Sequence, residues 1–147
     1  MKPRYQIDGI RSFDERESPV WLLAAKDGRL DIAIEHYVCR HDHVSLVELR
    51  DALEPFFTVR GDCRLDIAPN VCLWANMSQE FADAIADLER AGKVHFWPTS
   101  IMVYLADGGV LNLPLAKRLP PGGYKTLRWL PVVMRLEPPK QGKGARR

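Results

Sequence analysis

The amino-acid sequence predicts an α+β fold, in which several helices precede a three-stranded antiparallel meander. Two observations carry this prediction. Residues 78–91 repeat apolar side chains at helical spacing and end at Gly92, a residue typical of helix C-termini. After Gly92 the chain consists of short apolar runs separated by turn residues, a pattern typical of antiparallel strands. The helices therefore precede the main run of strands.

Two extra helices are predicted near the N-terminus. Ser18 and Pro19 combine an N-cap residue with a proline at the first helical position, so we expect a helix over residues 20–26. An Asp-Gly pair ends that helix. Apolar residues at helical spacing then predict a second, amphipathic helix over residues 30–40.

A third helix has the clearest start signal in the chain. Ser45 precedes Glu48 by three residues, which is the spacing of a capping box. The helix is expected to end near Glu54, because Pro55 disfavours the helical conformation in the residue before it.

Strands are predicted on both sides of the fourth helix. A hairpin is expected from residues 57–59 and 64–67, whereas residues 71–74 are either a buried strand or a packed turn. The fourth helix covers residues 78–91, with Asn76 expected as its N-cap. The three meander strands are predicted at residues 94–97, 101–105 and 110–113, and one further strand near residues 132–136.

Charge is distributed unevenly along the chain, although the net charge is only +2. Residues 1–110 carry 12 basic and 18 acidic side chains, whereas residues 111–147 carry 9 basic and 1 acidic. Such asymmetry indicates a segment that binds a polyanion or an acidic partner. Basic termini that only aid solubility are the alternative interpretation, because charge influences association rather than fold.

We divide the chain into four parts on these patterns. An N-terminal arm (residues 1–17) precedes a globular domain (residues 18–114). A basic Pro/Gly-rich extension (residues 115–137) follows, and then a basic tail (residues 138–147) with a disordered composition.

The helix over residues 78–91 runs through Gly92 directly into a strand, and an earlier capped helix begins at Ser45. This arrangement resembles a winged-helix domain, although no specific family within that fold is indicated. The resemblance implies that the helix before the wing reads DNA. Its predicted outward positions are mainly acidic and would be repelled by phosphates. We therefore assign them to a protein partner: Gln79, Glu80, Asp83 and Asp87.

Nucleic-acid contact is assigned instead to the basic extension, where cations alternate with aromatic residues that stack on unpaired bases in many binding proteins. The candidate residues are Lys117, Arg118, Lys125, Arg128, Arg135, Tyr124 and Trp129. For Tyr124 and Trp129 the alternative is a core role that docks the extension onto the domain.

Clustered histidines raise a metal-dependent hydrolase as a third hypothesis. The candidate ligands are His36, Cys39, His41 and His43, since imidazole and thiolate are usual zinc ligands. Their spacing matches no standard zinc template, so no metal or other cofactor is expected. We interpret the cluster as a polar helix end.

Other features favour a non-catalytic, cytoplasmic protein. No phosphate-binding loop, dinucleotide fingerprint or serine nucleophile motif occurs in the sequence. A cysteine nucleophile, Cys63 or Cys72 with His95, is the remaining enzymatic alternative. The three cysteines are odd in number and unpaired in spacing, as expected in a reducing cytoplasm, and the longest apolar run is too short for a membrane span. A nucleic-acid-associated regulatory or accessory protein is the preferred hypothesis, and a winged-helix protein-interaction adaptor is the alternative.

Overall fold

The computed structural model describes residues 4–7, 10–14 and 18–139, with side chains from residue 18 onward. These residues form five helices and two three-stranded sheets, which confirms the predicted α+β class. Strands β1 (Arg4–Ile7) and β2 (Ile10–Asp14) make a separate antiparallel pair. Within the described part of the chain, no helix has both the length and the apolar character that crossing a membrane requires.

Helices α1 (Val20–Lys26) and α2 (Leu30–His41) confirm the two predicted N-terminal helices. Gly28 lies between them with a left-handed φ of 76°, which glycine adopts without steric cost. The sharp turn lets the two helices pack against each other. Trp21 of α1 meets Tyr37 of α2 edge to face, with ring centroids 4.9 Å apart.

Strand β3 (Val44–Ser45) leads directly into helix α3 (Leu46–Leu53). The Ser45 hydroxyl accepts a hydrogen bond from the Glu48 N–H at 3.0 Å, so the predicted N-cap is confirmed. The same hydroxyl donates to Asp107 Oδ2 at 2.6 Å. Both bonds satisfy a side chain that is fully buried, and they join α3 to a residue far along the chain.

Strands β4 (Arg60–Ala68) and β5 (Val71–Met77) form an antiparallel hairpin. The chain turns at Pro69 and Asn70, and Asn70 has a φ of 59°. Tight hairpin turns need this left-handed conformation, and asparagine tolerates it better than most residues. Residues 71–74 are therefore part of a strand, the first of the two alternatives.

The predicted position of that hairpin is wrong. The sequence pattern placed a turn at residues 60–63, between strands at residues 57–59 and 64–67. In the structure residues 60–63 form an irregular start of β4, and both ends of this segment align with Met77. Extra residues of this kind are accommodated as an irregularity within a strand, so a local turn signal does not require a reversal of the chain.

Helix α4 (Gln79–Arg90) confirms the fourth predicted helix. Its N-cap is Ser78, whose hydroxyl accepts from the Phe81 N–H at 3.0 Å and donates to the Thr58 carbonyl at 2.7 Å. The prediction of Asn76 as the cap is wrong. Asn76 lies within β5 in the left-handed conformation, with a φ of 57°, two residues before the N-cap Ser78.

Gly92 follows α4 with a φ of 75°, and strand β6 (His95–Pro98) confirms the first predicted strand of the meander. The rest of the meander is wrong. The segment 101–105 lies in helix α5 (Ile101–Asp107), and residues 110–113 form no strand.

Capping explains why this segment is helical. The Ser100 hydroxyl accepts from the Met102 N–H at 3.1 Å, and Gly108 ends the helix with a φ of 93°. The apolar run is short, and a run of that length is compatible with a strand or a buried helix turn. Tyr104 decides the outcome, because the helix inserts its side chain into the core with no exposed surface.

The last two strands complete the sheets. Strand β7 (Arg128–Trp129) pairs in parallel with β5, so one sheet has the order β4-β5-β7. Strand β8 (Val132–Arg135) confirms the strand predicted near the C-terminus and lies antiparallel between β3 and β6, in the order β3-β8-β6. The segment 115–137 is therefore part of the folded unit, and the boundary placed at Pro114 does not separate two parts. The predicted disordered tail lies outside the described residues from residue 140 onward.

Three large aromatic residues meet in the core. Tyr104 lies 5.4 Å from Trp74 and 5.1 Å from Trp129 between ring centroids, and the two tryptophans are 5.8 Å apart. Trp129 has no exposed surface, and its Nε1–H donates to the Leu73 carbonyl at 3.2 Å. Its assignment to a nucleic-acid contact is corrected accordingly, in favour of the core role that was the alternative.

Candidate nucleic-acid interface

A loop with no acidic residue connects Pro114 to β7. We name residues 115–128 the basic loop. Its two ends are held side by side, because the Ala116 N–H donates to the Trp129 carbonyl at 2.7 Å and the Trp129 N–H donates to the Pro114 carbonyl at 2.8 Å. The loop is thus closed at its base by strand-like hydrogen bonds.

The far part of the basic loop is fixed to the turn of the β4–β5 hairpin. The Tyr124 N–H donates to the Pro69 carbonyl at 3.0 Å. Asn70 Nδ2 donates to the carbonyls of Tyr124 and Lys125 at 2.9 and 3.1 Å. Gly123 makes this approach possible, since a Cβ at that position would lie 2.0 Å from the Pro69 carbonyl oxygen.

The Tyr124 side chain joins two parts of the loop. Its hydroxyl donates to the Arg118 carbonyl at 2.9 Å, and the Arg128 guanidinium lies 5.0 Å from the ring centroid. Arg128 Nη1 also donates to the Leu115 carbonyl at 3.2 Å. Tyr124 and Arg128 therefore stabilise the conformation of the loop, and both side chains are half-buried.

The remaining cations of the basic loop are free of counter-charges. Lys117, Arg118 and Lys125 are exposed, and their side chains form no ion pair or hydrogen bond with another residue of the described chain. Arginines elsewhere mostly have a carboxylate partner: Arg29, Arg50, Arg60, Arg64, Arg90 and Arg135. The loop is thus a site of unneutralised positive charge.

Arg135 does not belong to this group. Its Nε lies 2.9 Å from Asp42 Oδ1, and its Nη2 lies 3.3 Å from Glu137 Oε1. The guanidinium is also stacked 4.5 Å from the Trp97 ring centroid, and its hydrogen bonds hold the pKa of Asp42 below the usual range. The assignment of Arg135 to a polyanion contact is corrected, because two carboxylates already neutralise its charge.

Glu80, Asp83 and Asp87 of α4 are exposed, in agreement with the orientation expected from the sequence. Glu80, Asp83 and Asp87 line a groove of about 690 Å³ between α4 and the start of α2, where Asp31 adds a fourth carboxylate. Gln79 lies beside the groove and donates to Asp83 Oδ1 at 2.8 Å through Nε2. The groove is mainly negatively charged, whereas the basic loop is positively charged.

The clustered histidines do not converge on one point. His41 stacks on Tyr37 with ring centroids 4.1 Å apart, whereas His43 Nδ1 lies 3.3 Å from Asp42 Oδ2. Cys39 is exposed, and Asp42 and His43 have φ values of 52° and 49° that turn the chain away from α2. Across residues 18–139, no three His, Cys, Asp or Glu side chains are placed to hold a metal ion, so the metal hypothesis, which also included His36, lacks a site.

The cysteine hypothesis also lacks an activated nucleophile. Cys72 is fully buried, and burial raises the pKa of its thiol to about 12. Cys63 donates through Sγ to Gln79 Oε1 at 3.3 Å, a contact with no catalytic base.

Sequence reasoning did not find Pro69 and Asn70, which hold the basic loop in place. The adjacent Pro-Asn pair is a turn signal, and Gly122-Gly123 is another, but the contact between the two turns spans more than fifty residues.

No known protein family, curated protein or solved structure matches this chain.

Proposed function

We propose that this chain is a non-catalytic, nucleic-acid-associated regulatory or accessory protein that contacts the polyanion through the basic loop. One observation carries the proposal: three exposed cations without carboxylate partners lie within nine positions of one loop, whereas most other described arginines are paired and the unpaired lysines Lys26 and Lys93 lie elsewhere. Lysine and arginine gain affinity for nucleic acid by displacing counterions from phosphates, and a cation already paired with a carboxylate gains less. Three free cysteines support a reducing, cytoplasmic setting.

A winged-helix arrangement is the finer part of the proposal. The elements α2, β3, α3, α4, β6 and β8 follow one another in the order of such a domain, with β8 between β3 and β6. Two features depart from the simplest form: the β4–β5 hairpin is inserted between α3 and α4, and residues 99–131 separate β6 from β8. In this interpretation the basic loop occupies the position of the wing.

The same interpretation nominates α4 as the recognition helix, and charge argues against that role. Its exposed face carries Glu80, Asp83 and Asp87, and these carboxylates would repel phosphates. The proposed contact is therefore made by the wing position rather than by the helix.

A titration of binding against salt tests the proposal. Fluorescence anisotropy of a labelled duplex should give an affinity that falls steeply with KCl. The combined variant Lys117→Gln, Arg118→Gln, Lys125→Gln should reduce the slope of log K against log salt by about 3, one for each phosphate that the loop no longer neutralises. Lys93→Gln is the matched control, because Lys93 is exposed but lines the acidic groove. Unchanged binding by the triple variant would show that the contact surface is elsewhere.

A protein-interaction adaptor is the second candidate, favoured by the acidic groove between α2 and α4. A positively charged partner would find carboxylates from both helices there. An affinity pulldown with nuclease treatment separates the two functions. A protein retained after nuclease and absent with the variant Glu80→Lys, Asp83→Lys supports the adaptor, whereas loss on nuclease treatment alone indicates nucleic-acid bridging.

A further inference from the structure

Proteins that bind single strands without sequence preference combine cations with exposed aromatic faces on which bases stack. The basic loop has the cations but does not offer such a face. Tyr124 is half-buried, its hydroxyl is bonded to Arg118, and the Arg128 guanidinium lies over its ring. Trp129 is fully buried against Trp74 and Tyr104.

The rest of the described surface offers no substitute. Among the side chains of residues 18–139, every exposed large apolar residue is aliphatic: Ile67, Met102, Leu105, Val110, Leu119 and Leu136. Trp97 lies near the surface, but the Arg135 guanidinium lies over its ring and its Nε1–H donates to the Glu137 carbonyl at 2.8 Å. No Phe, Tyr or Trp side chain of residues 18–139 is exposed, since six are half-buried and the others are buried; the half-buried ones are Trp21, Phe56, Phe57, Phe96, Trp97 and Tyr124. Base stacking, worth about 1–3 kcal/mol per base where it occurs, therefore has no fully exposed ring there.

The fixed backbone of the basic loop, by contrast, favours contact with phosphates. The basic loop is closed at its base by two backbone hydrogen bonds and fixed at its far part to the β4–β5 turn, so its cations are presented by a backbone that is already ordered. Binding then costs little backbone conformational entropy, and the main ordering cost is that of the lysine and arginine side chains. A double helix carries two phosphates where a single strand carries one, and each contact to it releases more counterion, with salt slopes of about −0.9 and −0.7 per phosphate.

We infer that the nucleic-acid partner is a double helix, contacted at its phosphate backbone by the basic loop without base stacking or base reading. The inference rests on the proposed function and specifies its ligand. DNA and RNA duplexes share the phosphate chemistry, and the experiment distinguishes them. Contacts by Lys117, Arg118 and Lys125 give expected salt slopes of about −2.7 for a duplex and −2.1 for a single strand, which corresponds to about fourfold tighter duplex binding at 0.1 M salt.

The test uses the full chain and three probes of equal length: a DNA duplex, an RNA duplex and single-stranded oligo-dT. Anisotropy titrations at several KCl concentrations should show about fourfold tighter binding, or more, to one or both duplexes, with affinity independent of base composition. The two duplex arms identify which helix is preferred. This comparison needs no variant and is not affected by misfolding.

Two variants of Tyr124 separate stacking from support of the loop. If the ring stacks on bases, Tyr124→Leu should weaken oligo-dT binding by about 5- to 150-fold while Tyr124→Phe leaves it unchanged. The inference predicts instead that each variant weakens duplex and single strand in equal proportion. Oligo-dT binding as tight as duplex binding, or tighter, would overturn the inference and leave the proposed function intact. Absence of binding to all three probes would overturn the proposed function itself.

Discussion

Tyr104 connects three distant elements through one hydroxyl group. The hydroxyl accepts from the Leu46 N–H at 3.1 Å, at the start of α3, and donates to the Val132 carbonyl at 2.6 Å, at the start of β8. Helix α3 has unpaired N–H groups in its first turn, and a buried one is costly if it finds no partner. Burial raises the pKa of Tyr104, so the group stays protonated and can donate at any physiological pH.

Removal of this hydroxyl should lower the free energy of unfolding, although it removes only one oxygen atom from the core. Tyr104→Phe leaves a buried N–H and a buried carbonyl without this partner, and we expect a decrease of about 1–3 kcal/mol in the free energy of unfolding. Urea unfolding followed by tryptophan fluorescence measures it. Tyr124→Phe is the matched control, because its hydroxyl bond to Arg118 is exposed. Equal decreases in the two variants would contradict the role assigned to Tyr104.

At the level of elements, helix caps were predictable to the extent that they are local. Ser45 was correctly identified because the capping residue and its Glu48 partner are three positions apart. Ser78 was missed in favour of Asn76, since both residues are good caps and only the backbone conformation separates them. The segment that forms α5 shows a different ambiguity. Its apolar run is too short to distinguish helical from strand periodicity, and the pattern therefore predicts a strand.

The contact between the basic loop and the β4–β5 turn depends on one glycine. Gly122 and Gly123 both have positive φ, 76° and 78°, so an alanine at either position is strained by about 1–2 kcal/mol. Only Gly123 also approaches Pro69, while a Cβ at Gly122 would have nothing within 4 Å. Gly123→Ala should therefore cost at least about 1 kcal/mol more than Gly122→Ala.

Urea unfolding of the two variants measures that difference. Limited proteolysis adds a local readout, because a loop that has left the Pro69–Asn70 turn should be cut faster within residues 115–128. Similar stability and similar cutting in both variants would mean that the close approach at Gly123 is unimportant.

At the level of the whole molecule, the C-terminal part of the chain completes the fold. Strand β8 is the central strand of the sheet β3-β8-β6, and its buried residues include Val133 and Met134. Trp129 of β7 lies in the aromatic cluster of the core. A charge boundary near Val110 is thus a property of the surface, and it does not mark the edge of a folding unit.

Truncation tests this conclusion. A chain ending at Pro114 should show no cooperative unfolding transition, because it lacks the central strand and several fully buried side chains. The free energy lost with them exceeds the net stability of a typical domain, which is about 5–15 kcal/mol. A chain ending at Pro139 should unfold cooperatively, since every described strand and helix remains. Circular dichroism during thermal unfolding measures both. A cooperative transition in the shorter chain would restore the boundary at Pro114.

The sequence by itself determined the α+β class, helices α1 to α4, strands β6 and β8 and the charge asymmetry. Spacing, caps and composition are properties of neighbouring residues. Only the tertiary structure decided that Trp129 is buried, that Arg135 is neutralised by Asp42 at 93 positions' distance, and that the basic loop is fixed by Pro69 and Asn70. These outcomes depend on which distant groups meet, because burial and ion pairing are properties of the folded surroundings. Within residues 18–139, the charge asymmetry places Lys117, Arg118 and Lys125 in one basic loop and Glu80, Asp83 and Asp87 on one face of α4.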